Sequence, residues 1–219
     1  MCATGARFGG AVVSPRYKKV EVGDAFTTSM SLRGGLTCRA AYVAKTEADL
    51  PEAARDYVDV MARPYFAAAA TWYETVGLGV TGGEVYAAVD TVFPKSEYGW
   101  TLNPGHLCAS EEWMSSPIEK DSRATLRSGM ILQMDIIPSR PPYGGINAEE
   151  GIALADETLR EELKRTYPEM WARVEQRRKY MMEELGIQLK PEVLPLSNLA
   201  AYVRPLLLDQ ERALKVVRD

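Results

Sequence analysis

Three pieces of the stretch between residues 103 and 150 decide how this chain is read: NPGHLC at Asn103–Cys108, LRSGMILQMDIIPS at Leu126–Ser139, and GGINAEE at Gly144–Glu150. The first carries the only histidine of the chain, His106. The second places Asp135 inside an apolar run, and the third ends on the acidic pair Glu149-Glu150. Met130–Ile137 is apolar except for Gln133 and Asp135, which predicts a strand buried on both faces. An ionised carboxylate in such a strand costs several kcal/mol unless it is partnered, so Asp135 marks a site rather than packing. Three strands in this order bring His106, Asp135 and Glu149 into one cleft. Metal-assisted hydrolysis uses a grouping of that kind.

Working outward, 219 residues suffice for one good core with at most two small lobes. A net charge of −4 gives no general attraction to nucleic acid or to an anionic membrane surface. Arg177–Lys179 is a short basic run, expected on a solvated helix face. No apolar stretch approaches the roughly 20 residues of a membrane span, and MCATGARFGG lacks the layout of a signal peptide. Cys2, Cys38 and Cys108 are an odd number with no paired spacing, so reduced thiols in a cytoplasm are expected.

Ala25–Ser31 and Cys38–Ala44 read as a hairpin turning at Arg33-Gly34-Gly35, after an opening loop or short extended segment that closes at Gly23-Asp24. From Leu50 to Gly77 the apolar spacing predicts a helix, with a kink or break at Pro64. A shorter helix is expected over Glu84–Phe93, beginning near Thr81. Beyond Asp156 the pattern turns helical, divided at Pro168 and stopped at Gly186. Its buried stripe is Trp171, Val174, Tyr180, Met181 and Leu185. A last helix is expected from about Leu199 to Val217, interrupted near Pro205.

Five segments in order resemble the pita-bread family of creatinase, methionine aminopeptidase and proline-specific aminopeptidases. They are VEVGDAFTTSMSLRGGLTCRAAY, ETVGLGVTGGEVYAAV, NPGHLC, LRSGMILQMDIIP and GGINAEEGIALAD, together covering about residues 20–156. The resemblance implies an α/β fold with a curved, mostly antiparallel sheet and outer helices. It also implies a fold incomplete at its N-terminus, because only some twenty residues precede Val22. Either the opening of the domain is lost or Met1 is an internal start. Residues 1–156 are then a partial pita-bread domain and 157–219 a helical extension packed on it or on a partner. An uncovered sheet face would invite a homodimer.

Family members hold two divalent ions with two Asp, one His and two Glu. Carried over residue by residue, His106 takes the histidine position, Asp135 the first Glu and Glu149 the second. Counted from the glycine turn, Thr28 and Arg39 stand where the two aspartates belong. An arginine is always charged and is no metal ligand, so the reading puts Arg39 in the vacated cation space, bonded to Asp135 or Glu149. Glu150 and Glu112 are candidate bases, with His106 the sole imidazole. Arg39, Glu112 and Trp113 are candidate ligand-binding residues.

The expectation that follows is a metallopeptidase-family homologue without the dinuclear centre, binding a small molecule, a peptide or a partner rather than cleaving peptides. No cofactor is expected, or at most one ion of manganese, zinc, iron or cobalt. The alternatives are a single-metal hydrolase of a small amide or peptide-like substrate, and a purely structural interaction module.

Overall fold

The computed structural model describes residues 1–5, 8, 14–32, 35–108 and 115–218. The hairpin is there: β2 (Ala25–Leu32) pairs antiparallel with β3 (Gly35–Tyr42) along its whole length. Its turn residues Arg33 and Gly34 lie outside the described residues. A short strand, β1 (Cys2–Thr4), adds to the free edge of β2. The remaining strands are β4 (His106–Leu107), β5 (Ile131–Met134), β6 (Asn147–Leu154) and β7 (Val193–Pro195). The order is β1-β2-β3-β6-β5-β4, with β7 on β6 and every pair of strands antiparallel. Strand β6 is the spine. Residues 147–149 pair with β3 and 152–154 with β7 along one edge, while 150–153 pair with β5 along the other.

The expected Leu50–Gly77 helix is shorter and differently built. Two single turns, Glu47–Asp49 and Glu52–Ala54, precede a π-turn at Val58–Ala62, which runs into α1 (Arg63–Thr75). Pro64 has no N–H and its ring would press on the Val60 carbonyl in an α-turn. The wider turn, in which Arg63 N–H reaches back to the Val58 carbonyl, absorbs the misfit. Helix α2 (Gly82–Val92) starts with a reciprocal cap: the Thr81 side chain accepts from Glu84 N–H, and the Glu84 carboxylate accepts from Thr81 N–H. Trp72, Trp100, Tyr57, Tyr65, Tyr73 and Phe93 are fully buried between these helices and the sheet.

Pro168 divides the next helical region into α3 (Glu157–Thr166) and α4 (Pro168–Lys179), and a π-turn, Tyr180–Glu184, closes it before Gly186. Val174, Met181 and Leu185 are buried; Trp171 and Tyr180 are only partly so. The last predicted helix does not form. From Leu199 onward the chain is irregular, because its backbone groups pair with other parts of the fold. Leu207 N–H donates to the Tyr42 carbonyl, Leu214 N–H to Val203 and Val216 N–H to Leu185. The tail also gives β7 to the sheet and Met181, Leu185, Ile187 and Val203 to the main core, so the packing is continuous across residue 156. Among the described residues no helix is long and apolar enough to cross a membrane.

Register positions everything that follows. Cys38 lies opposite Glu149 and Arg39 opposite Ala148. Side chains alternate along a strand, so Cys38 and Glu149 share one face while Arg39, Ala148 and Glu150 share the other. On that other face the Arg39 guanidinium forms an ion pair with Glu150 at 2.6 Å, the two side chains 17% and 1% exposed. Arg39 Nη1 also donates to the Cys38 carbonyl and Nη2 to the Leu199 carbonyl, while Thr37 Oγ1 donates to Glu150. One guanidinium therefore ties β3, β6 and the tail together.

Removing only Glu150 leaves a mostly buried cation without its counter-ion. Glu150→Ala is expected to cost about 3–5 kcal/mol in denaturant unfolding. The double variant Arg39→Met with Glu150→Leu is expected to recover more than half of that loss, and additive losses in the two single variants would contradict the pairing.

Candidate metal centre

Strand alternation explains how the cleft face is populated. His106 on β4 lies opposite Gln133 on β5, and Gln133 lies opposite Gly151 on β6. Gln133, Asp135, Glu149 and His106 therefore emerge on one side. The intervening Leu132, Met134, Ala148 and Ile152 enter the core on the other. Gly105 allows the histidine to sit there. Its φ of 142° is one that L side chains rarely adopt, and a Cβ at this position would lie 2.6 Å from the Gln133 carbonyl oxygen.

The structure brings His106, Asp135 and Glu149 together. One ligand atom from each lies within 4.8 Å of the others, and the residues are only 4%, 6% and 7% exposed. The His106 Nδ1 is 2.8 Å from the Leu107 carbonyl oxygen. A carbonyl only accepts, so Nδ1 donates in this contact, and Nε2 faces inward. It points at Asp135 Oδ2, 3.8 Å away. Glu149 Oε1 accepts from Gln133 Nε2 at 2.6 Å, and the same amide donates to the Leu36 carbonyl. Glu149 is thus oriented by an amide wired to the backbone.

These donors fit one divalent ion. Ligand oxygens and nitrogens about 2.0–2.2 Å from an ion lie at most about 4.4 Å apart, so the widest separation here needs to close by only a few tenths of an ångström. The residues eleven apart on β2 and β3 that face this cleft are Thr27 and Cys38, whose side chains approach to 3.7 Å. Neither is a carboxylate. The Cys38 thiol is pushed up to about 12, first by burial and then by the negative charge of Glu149 and Asp135.

The placement of the other expected residues differs from the sequence reading by one position. Thr28 and Arg39 are a register pair on the opposite face, and Arg39 bonds Glu150 rather than Asp135 or Glu149. Glu150 is buried in the core side of the sheet and is no base for this cleft. Glu112 and Trp113 lie outside the described residues. Cys38, Thr27 and Gln133 were missed as site residues. The signal for the first two was the eleven-residue spacing itself, applied one residue earlier; for Gln133 it was a lone amide two positions before Asp135.

No protein-family model matches this sequence, and no curated protein matches it either. Solved structures do. The chain superimposes on an Xaa-Pro dipeptidase from Bacillus anthracis with a TM-score of 0.57 and 20% identity, covering 72% of this chain and 44% of that one. An X-Pro aminopeptidase from Thermotoga maritima matches with a TM-score of 0.55 and 18% identity, covering 72% and 44%. A prolidase from Pyrococcus furiosus matches with a TM-score of 0.55 and 17% identity, covering 71% and 46%. The chain spans less than half the length of each of these proteins. This chain has the pita-bread fold of those metallopeptidases.

Proposed function

We propose that this chain is a metallopeptidase-like protein that has lost the paired-ion centre and uses the same cleft to hold one divalent cation and a ligand, without cleaving peptides. The observation that carries the reading is the pair Thr27 and Cys38 on the cleft face. Two ions roughly 3.5–4 Å apart repel strongly and need several carboxylates around them. Asp135 and Glu149 are the two such groups in the cluster, enough to neutralise a single divalent ion. His106 adds a ring nitrogen whose orientation is fixed by the Leu107 carbonyl, a preparation typical of ligand histidines.

When bound, such an ion supplies Lewis-acid polarisation of a carbonyl oxygen and acidification of a coordinated water. The protein side of the cleft supplies orientation. Gln133 holds Glu149, and the Leu107 carbonyl holds His106. The second reading, a single-metal hydrolase of a small amide, is favoured by one feature: three protein donors leave coordination positions open.

Two outcomes are expected. After dialysis against manganese, cobalt, iron(II) or zinc, metal analysis finds no more than one equivalent per chain, and Xaa-Pro dipeptides are not turned over. Two tightly held equivalents would overturn the proposal. In the second measurement, His106→Ala lowers retained metal at least tenfold while circular dichroism shows the fold intact. Any amide hydrolysis that survives this substitution removes the single-metal hydrolase reading.

A further inference from the structure

We infer that the cavity between helix α4 and the segment following β7 is a binding site for a small organic anion, its carboxylate or phosphate head held by Arg177 and its apolar body resting on Met181 and Ala200. None of its lining residues belongs to the cluster of His106, Asp135 and Glu149, so the site requires no metal ion.

The basic run Arg177–Lys179 does not form the solvated helix face that its charge suggests. Only Lys179 is exposed. Arg178 donates to the Lys190 and Val193 carbonyls at the start of β7. Arg177 donates through Nε to Asn198 Oδ1 at 2.8 Å and through Nη1 to the Pro195 carbonyl at 3.3 Å. These bonds fix the plane of the guanidinium and leave the N–H groups of Nη2 uncommitted. A planar fork held in this way matches the oxygens of a carboxylate or a phosphate.

The rest of the wall is rich in donors. Ser197 Oγ accepts from Leu199 N–H at 3.0 Å, which leaves its own O–H to give. Asn198 spends its carbonyl oxygen on Arg177, which leaves its NH₂. The Tyr180 hydroxyl and the Gln176 amide also line the space, whose volume is about 310 Å³, at the small end for a ligand pocket. Met181 and Ala200 supply the apolar part, and among the described residues no carboxylate lines it.

Charge points the same way. Arg177 is held below the ordinary guanidinium pKa, first by partial burial and then by the positive charge of Arg173, one turn earlier on the helix. Glu150, whose negative charge acts in the opposite sense, is already paired with Arg39. A half-buried cation beside a second cation, in a wall of neutral donors, is stabilised by an anion that enters and is indifferent to a neutral guest of the same shape.

Phenyl phosphate and benzoate are the probes, because they share an apolar ring and differ in the head group. Calorimetric titration of the full chain, stripped of metal so that no ion elsewhere captures them, is expected to show one site per chain for at least one of the two. The tighter binder identifies the head group. Benzyl alcohol, which keeps the ring and lacks the charge, is expected not to bind. Arg177→Gln is expected to weaken the anion at least tenfold. Asn198→Asp keeps an acceptor for Arg177 Nε and supplies a carboxylate in place, so it is expected to weaken the anion by the same factor with the fold retained in circular dichroism; it decides the matter should Arg177→Gln unfold. Failure of both probes to bind would overturn the proposal. So would binding that survives Asn198→Asp, or benzyl alcohol binding as tightly as the anions.

Discussion

The register of β3 against β6 is the constraint on which this molecule depends. Because side chains alternate, one choice of pairing decides at once which residues enter the core and which line the cleft. With Cys38 opposite Glu149, the cleft receives a thiol and a carboxylate, and the core receives Arg39 and Glu150. The opposite choice would bury Glu149 among Leu132, Met134 and Ile152 and expose the guanidinium to the metal donors. The Arg39–Glu150 pair stabilises the observed pairing over that alternative, since both charges are satisfied only when they meet on the same side. Buried pairs of this kind are weak sources of net stability, and fixing a register is the role best attested for them.

The same pair couples the tail to the sheet. Arg39 donates to the Leu199 carbonyl, and Leu207 pairs with the backbone of Tyr42 at the end of the same strand. Residues 199–208 are therefore held by contacts that a helix would forbid, because a helix would take the Leu199 carbonyl and the Leu207 N–H for itself. Strand β7 continues the edge of β6 that β3 leaves free. The tail completes the sheet rather than standing beside it.

Much of the architecture was legible from local chemistry. Thr81, Pro168 and Gly186 mark their elements through rules that act within a few residues. His106, Asp135 and Glu149 were legible because a charge in an apolar run demands an explanation. What failed were the readings that needed long-range geometry. The stretch GLTCRAAY mixes small, polar and charged residues without a clean alternation, so nothing local says whether Cys38 or Arg39 faces the cleft. Adjacent glutamates on β6 double the ambiguity, because either one satisfies a motif that asks for an acid. Apolar residues of the tail recur at helical intervals, yet their partners lie on Tyr42, Leu185 and Val203, which the sequence does not place nearby.

Charge accounting joins the two faces. On the core side Arg39 and Glu150 cancel, so the sheet carries no net charge behind the cleft. On the cleft side an imidazole and two carboxyl groups stand close together in a space largely shut off from water. In the one-ion proposal, a single divalent ion would balance both carboxylates once they are ionised; a second would add two positive charges at low dielectric, where repulsion is several times stronger than in bulk water. Had Arg39 occupied the cleft, one carboxylate would already be neutralised and even one ion would be poorly held. The register that turns the arginine to the core face is therefore also what keeps its charge away from the cluster of His106, Asp135 and Glu149.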